Sequence, residues 1–117
     1  MKYALLIYQD ETTNMNLGEQ EQQEVMQAHG AFYGEAAEAG VAIPGGTALY
    51  PTTTARSVRV RDGETLVTDG PFAETREQLG GLYMVECDSI EEACSWAAKV
   101  PEAKAGVVEV RQIMVFD

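Results

Sequence analysis

The chain has 117 residues, 19 acidic and 8 basic side chains and a net charge of −11. That length holds one core, expected as a single domain over 1–117, and an acidic surface of this strength repels phosphate backbones and anionic lipid, which argues against direct nucleic-acid binding. No stretch reaches the roughly 18 apolar residues of a membrane span, and the opening MKYALLIYQDE is too short for a signal peptide, so a cytoplasmic protein without a membrane partner is expected. Cys87 and Cys94 lack CxxC spacing and histidine neighbours, and read as small apolar residues packed inside.

Residues 2–8, KYALLIY, predict a strand that is apolar on both faces, with Tyr3, Leu5 and Ile7 on one and Ala4, Leu6 and Tyr8 on the other. QDETTNMNLG reads as a polar loop. A long helix follows from Glu19 to Ala39, with EQEQQE as its solvated first turns and Gly40 as its stop. Val25, His29, Phe32 and Ala36 fall on one helical stripe, which Met26, Tyr33 and Ala37 widen. VAIPGGTALYP is a short strand broken by glycine. In RSVRVRDGETLVTD, two strands flank Asp62-Gly63, the pair that a two-residue type I′ turn favours. That turn sets Arg61 opposite Glu64, Val60 opposite Thr65 and Arg56 opposite Asp69. Within DGPFAETREQLGG, FAETREQ is expected to make one or two helical turns. GGLYMVECD is a further strand, with Leu82 and Met84 on one side and Tyr83, Val85 and Cys87 on the other. SIEEACSWAAKVP is a helix with a Ser89–Glu92 capping box, an inner stripe of Ile90, Ala93, Trp96 and Ala97, and Pro101 as its end. GVVEVRQIMVF supplies the last strand.

This order predicts an α+β fold, a ferredoxin-like antiparallel sheet with two helices on one face. Two helices cover one face only, yet both faces are apolar. A homodimer that closes the second face and encloses a hollow is therefore expected, in preference to a loop folding over it.

DGPFAETREQLGGLYMVE, followed by SIEEA and VEVRQI, resembles the YCII-related family in its DGPF branch, whose motif stands here at Asp69, Gly70, Pro71 and Phe72. The resemblance extends over nearly the whole chain, including MKYALLIY and PGGTALYPTTTARSVRVRDGE. It implies a dimeric α+β barrel, an enzymatic role suspected from a pocket His and Asp in related proteins, and an association with sigma factors for some members. Many members carry Lys where this chain has Arg76, which retains the positive charge.

His29 is the only histidine and lies eleven residues before Gly40, a spacing compatible with the family's pocket histidine. Its functional reading is a general acid or base; its structural one is a packed ring bonded to a backbone carbonyl. Asp69 has three readings: a partner for Arg56, a turn cap, or the carboxylate that acts with His29. Glu74 and Glu77 share a face if their segment is helical, where two carboxylates could bind a metal or share a proton, the alternative being a solvated turn; Glu74 is also a candidate ligand contact. Arg76 and Arg111 are candidate ligand contacts, Arg111 also pairing with Glu109, while Phe72 either touches ligand or anchors its loop in the core. No metal-ligand spacing, phosphate loop or dinucleotide fingerprint is present, so neither metal nor cofactor is expected. The leading functional expectation is a cofactor-independent acid/base enzyme with a His29–Asp69 pocket between the sheet and its dimer mate. The other is a regulatory or binding module that works with a sigma factor.

Overall fold

The structure is a computed structural model, and it describes residues 1–116. Strand β1 (Lys2–Gln9) runs into a short helix α1 (Glu11–Met15), then helix α2 (Glu19–Glu38) and strand β2 (Ala42–Ala48). A hairpin of β3 (Arg56–Arg61) and β4 (Glu64–Asp69) follows, then β5 (Gln78–Glu86), helix α3 (Ile90–Ala97), a 3-10 turn at Pro101–Lys104 and β6 (Val107–Gln112).

The main sheet is antiparallel with order β2-β5-β1-β6. Alternation sends Tyr3, Leu5 and Ile7 of β1 and Tyr83 and Val85 of β5 to the same side, where they are buried. Phe32 and Ala36 of α2 and Ala93, Trp96 and Ala97 of α3 close over them, with Val108 and Val110 of β6 completing the core. Phe32 stacks on Tyr83 at 4.7 Å between ring centroids and meets Trp96 edge-on at 6.1 Å. These aromatic contacts tie both helices to the sheet.

On the opposite side, registers place Ala4 beside Met84 and Leu6 beside Leu82, with Glu109 and Arg111 of β6 flanking them. Glu109 and Arg111 form an ion pair on this side. The contacts of α2 and α3 with the sheet run to its buried side, so the chain leaves the apolar centre of the other face without a helix.

Several expectations are corrected. The sheet is open and not part of a barrel: its four strands end at edge strands β2 and β6, which do not pair, whereas a closed barrel needs every strand bonded on both sides. The β3–β4 hairpin, expected within the same sheet, forms a separate two-stranded sheet whose residues are almost all exposed. Its register is the expected one, from Arg61–Glu64 through Arg56–Asp69, and both Asp62 (φ 52°) and Gly63 (φ 78°) adopt the left-handed conformation of a type I′ turn. The polar loop after β1 contains α1, because Asp10 accepts hydrogen bonds at Oδ1 from the Thr12 N–H (3.0 Å) and hydroxyl (2.6 Å) and so caps a helical turn. The segment 69–81 is not helical. Thr75 donates its hydroxyl to the Glu77 carbonyl at 2.6 Å, and such local side-chain bonds compete with the helical ladder. Met26, Tyr33 and Ile90, expected on buried stripes, are exposed, as is Cys94; Cys87 is buried. Strand β6 stops at Gln112, leaving Met114, Val115 and Phe116 outside it and exposed. Among the described residues no helix is long and apolar enough to cross a membrane.

Helix α3 starts as its sequence demands, with Ser89 Oγ accepting from the Glu92 N–H at 3.1 Å, while Glu92 reaches back to the Asp88 N–H at 3.1 Å. Because α3 carries three core residues, Ser89→Ala should cost about 1 kcal/mol, seen as a lower urea midpoint with unchanged m-value.

Candidate functional site

Helix α2 has to bury one stripe against the sheet, and His29 lies on that stripe one turn before Phe32. The ring therefore descends toward β5 at the level of Tyr83. Its Nδ1 is 2.6 Å from the Tyr83 hydroxyl. Its Nε2 contacts Glu102 Oε1, from the 3-10 turn that Pro101 opens ahead of β6. The side chains of His29 and Glu102 are 24% and 11% exposed, so the pair is shielded while the imidazole keeps an edge to solvent.

The proton positions follow from the donor and acceptor inventory. A carboxylate only accepts, so Nε2 carries the hydrogen that Glu102 receives, and in a neutral ring Nδ1 is then the acceptor for the Tyr83 hydroxyl. Tyr83 suits this role. Burial, reinforced by the neighbouring Tyr33 and Glu102, pushes its hydroxyl up to about 12, which keeps it protonated. Glu102 Oε2 is buried and has no hydrogen-bond partner among the described residues, so half of the carboxylate retains accepting capacity.

Gly46 of β2 makes the arrangement possible. It pairs with Tyr83 across the strands, and a Cβ there would lie 2.7 Å from Tyr83 Cδ1 and 2.9 Å from the Tyr33 hydroxyl. The two tyrosine rings meet edge-on at 5.4 Å over this bare backbone. The glycine run in VAIPGG thus does more than bend the strand.

Of the expected site residues, His29 alone belongs to this cluster. Asp69 is on the exposed hairpin, its side chain 94% exposed, with Oδ1 3.5 Å from Arg56 Nε. Glu74 and Arg76 are exposed on the 69–81 segment; Phe72 is 82% exposed and does not anchor that segment in the core. Arg111 is paired with Glu109 on the sheet face away from the helices. Both ring nitrogens of His29 are engaged by Tyr83 and Glu102, so the carboxylate beside it is Glu102 and not Asp69 or Glu74. The expected location also changes: Tyr83 shares the helix side of the sheet with Leu5 and Val85, so the His29 cluster lies between α2 and the sheet, not across the bare face.

Sequence reasoning passed over Glu102 and Tyr83. Pro101 ends the α3 pattern and also opens the 3-10 turn that carries Glu102, since proline suits the first position of a turn. Alternation groups Tyr83 with Val85 and Cys87, and the structure shows that this is the side the helices cover. A buried tyrosine needs a partner for its hydroxyl, and the single histidine on the facing stripe was the available one.

The sequence profile of the YCII-related domain family matches residues 1–117. An uncharacterized protein of Rhizobium meliloti (strain 1021) is 40% identical over 118 residues, a span that covers 99% of this chain and 94% of that protein.

Two outcomes follow from this geometry. Between pH 10, where unfolded Tyr83 releases its proton, and about 12, where the folded hydroxyl does, only the native state holds that proton. Stability fully present below pH 10 is then lost as pH rises through that window, and Tyr83→Phe should flatten this slope in urea titrations at stepped pH. Gly46→Ala should destabilise the fold by about 1–3 kcal/mol and shift the His29 ring resonances, because the tyrosine that holds Nδ1 has to move.

Proposed function

We propose, from the premise that this chain belongs to the YCII-related domain family, that Glu102, His29 and Tyr83 form an acid/base site that acts on a small molecule without a cofactor. The observation that carries this reading is the engagement of both His29 nitrogens, one by a carboxylate and one by a hydroxyl held neutral. Glu102 fixes the tautomer and matches the charge that an imidazolium would carry. Tyr83 relays: as it takes a proton from a ligand carbon or oxygen, it passes its own to Nδ1 and remains neutral. The return of that proton to a different atom of the same ligand completes an isomerisation, with no net gain or loss.

The run Asp69-Gly70-Pro71-Phe72 supports placing the chain in the DGPF branch of the family. The bare, apolar centre of the sheet supports a homodimer, since burial of such a face on the order of 800 Å² per partner makes a normal interface.

The test is hydrogen–deuterium exchange at carbon positions next to a carbonyl, followed by NMR across a set of small ketones, lactones and keto acids in D₂O. The wild type should accelerate exchange in at least one of them, and His29→Gln should lower that rate about 10²–10⁴-fold. Glu102→Gln should also lower it, by loss of the fixed tautomer. Equal rates for wild type and His29→Gln would refute the catalytic reading.

A further inference from the structure

The hairpin and the C-terminal segment are two apolar surfaces that this chain exposes and cannot bring together. In β3–β4 the register puts Val58 opposite Val67 and Val60 opposite Thr65 on one face, and Val58, Val60 and Val67 are all exposed. An isolated two-stranded hairpin is marginal in water and gains stability when a face is covered. Beyond β6, Met114, Val115 and Phe116 are exposed as well, Phe116 to 85%. The radius of gyration of 16.3 Å exceeds the roughly 13 Å of a compact chain this long, as parts that extend from the body require.

Topology keeps these surfaces apart. β6 ends beside the start of β1, where Gln112 pairs with Tyr3 and the Ile113 N–H donates to the Lys2 carbonyl. The hairpin is rooted at the other end of the sheet: β2 leaves it past Ala48, opposite Gly81, and the base closes where the Gly70 N–H donates to the Ala55 carbonyl. The β1 strand between the two ends has eight residues and spans about 26 Å. A two-fold axis that sets two sheets antiparallel turns this separation into proximity, since each copy's tail end then meets the other copy's hairpin end, and the contact occurs twice. The bare face of Ala4, Leu6, Leu82 and Met84 lies along the line that joins them.

We infer that the valine face of the hairpin receives the Met114–Phe116 segment of a second copy, in a reciprocal clasp. This rests on the homodimer reading of the bare sheet face and goes beyond it, because it names the two segments that lock the pair. The partner is a second copy because one chain supplies both halves of the contact, and at positions that only a two-fold pair can join.

The experiment mixes uniformly ¹³C-labelled chains with unlabelled ones and records isotope-filtered NOEs, with the full chain in each case. Contacts should appear between the methyls of Val58 or Val67 and the ring of Phe116, assigned by their loss in Phe116→Leu. In sedimentation, Phe116→Asp and Val67→Asp should each weaken the dimer at least about tenfold, and the double variant should add little, as two sides of one contact do. Both sites are exposed, so far-UV spectra should remain those of the wild type. A wild-type dimer that lacks these NOEs and is indifferent to both substitutions would overturn the clasp and leave the homodimer standing. A wild-type monomer at micromolar concentration would overturn both. Open-ended higher oligomers, or hairpin methyls that find contacts only when another protein is added, would overturn the two-fold clasp.

Discussion

Tyr83 has to bury a ring and satisfy a hydroxyl in the same place, and most of the architecture around the site answers that demand. Its ring is stacked beneath Phe32 and lies over the bare backbone of Gly46, in the centre of the core. Its hydroxyl would be a costly orphan there without a partner, and His29 comes down from the same helix that supplies Phe32. The histidine's other nitrogen then needs its own partner, which Glu102 provides. Each polar group is thus held by the group before it, and the chain of obligation ends at a carboxylate with one oxygen to spare.

The cluster is separated from the most highly charged loop of the chain. Asp69, Glu74 and Arg76 lie on exposed backbone, where an ion pair such as Arg56–Asp69 is worth at most about 1 kcal/mol because water competes with it. Charge density in a sequence marks solvent contact more readily than chemistry. The shielded pair at His29 and Glu102 is built from two residues 73 positions apart, neither of which stands in a charged run with the other.

The two sides of the sheet divide the molecule's tasks. One side holds the core and the Tyr83–His29–Glu102 cluster under α2 and α3. The other presents apolar residues between the exposed hairpin and the exposed Met114–Phe116 segment. The proposed ligand site and the proposed interface lie back to back on β5, so contacts on one side would stiffen the strand that positions the other.

Local patterns were enough for much of this. The period-two alternation of KYALLIY and LYMVEC, the Asp62-Gly63 turn with its full ladder, the α2 stripe through His29 and Phe32 and the Ser89 cap all depend on neighbours within a few residues, and all stand in the structure. Local patterns failed where competition between neighbours decided the outcome: the Asp10 cap made a helix of a polar loop, and the side-chain bonds of Thr75 kept 69–81 from becoming one. Where the hairpin goes, whether the sheet closes, and which carboxylate meets His29 were decided by the tertiary structure alone. Those choices depend on contacts between residues far apart in the chain, and the partner of a lone histidine is settled only when helix, strand and turn have packed.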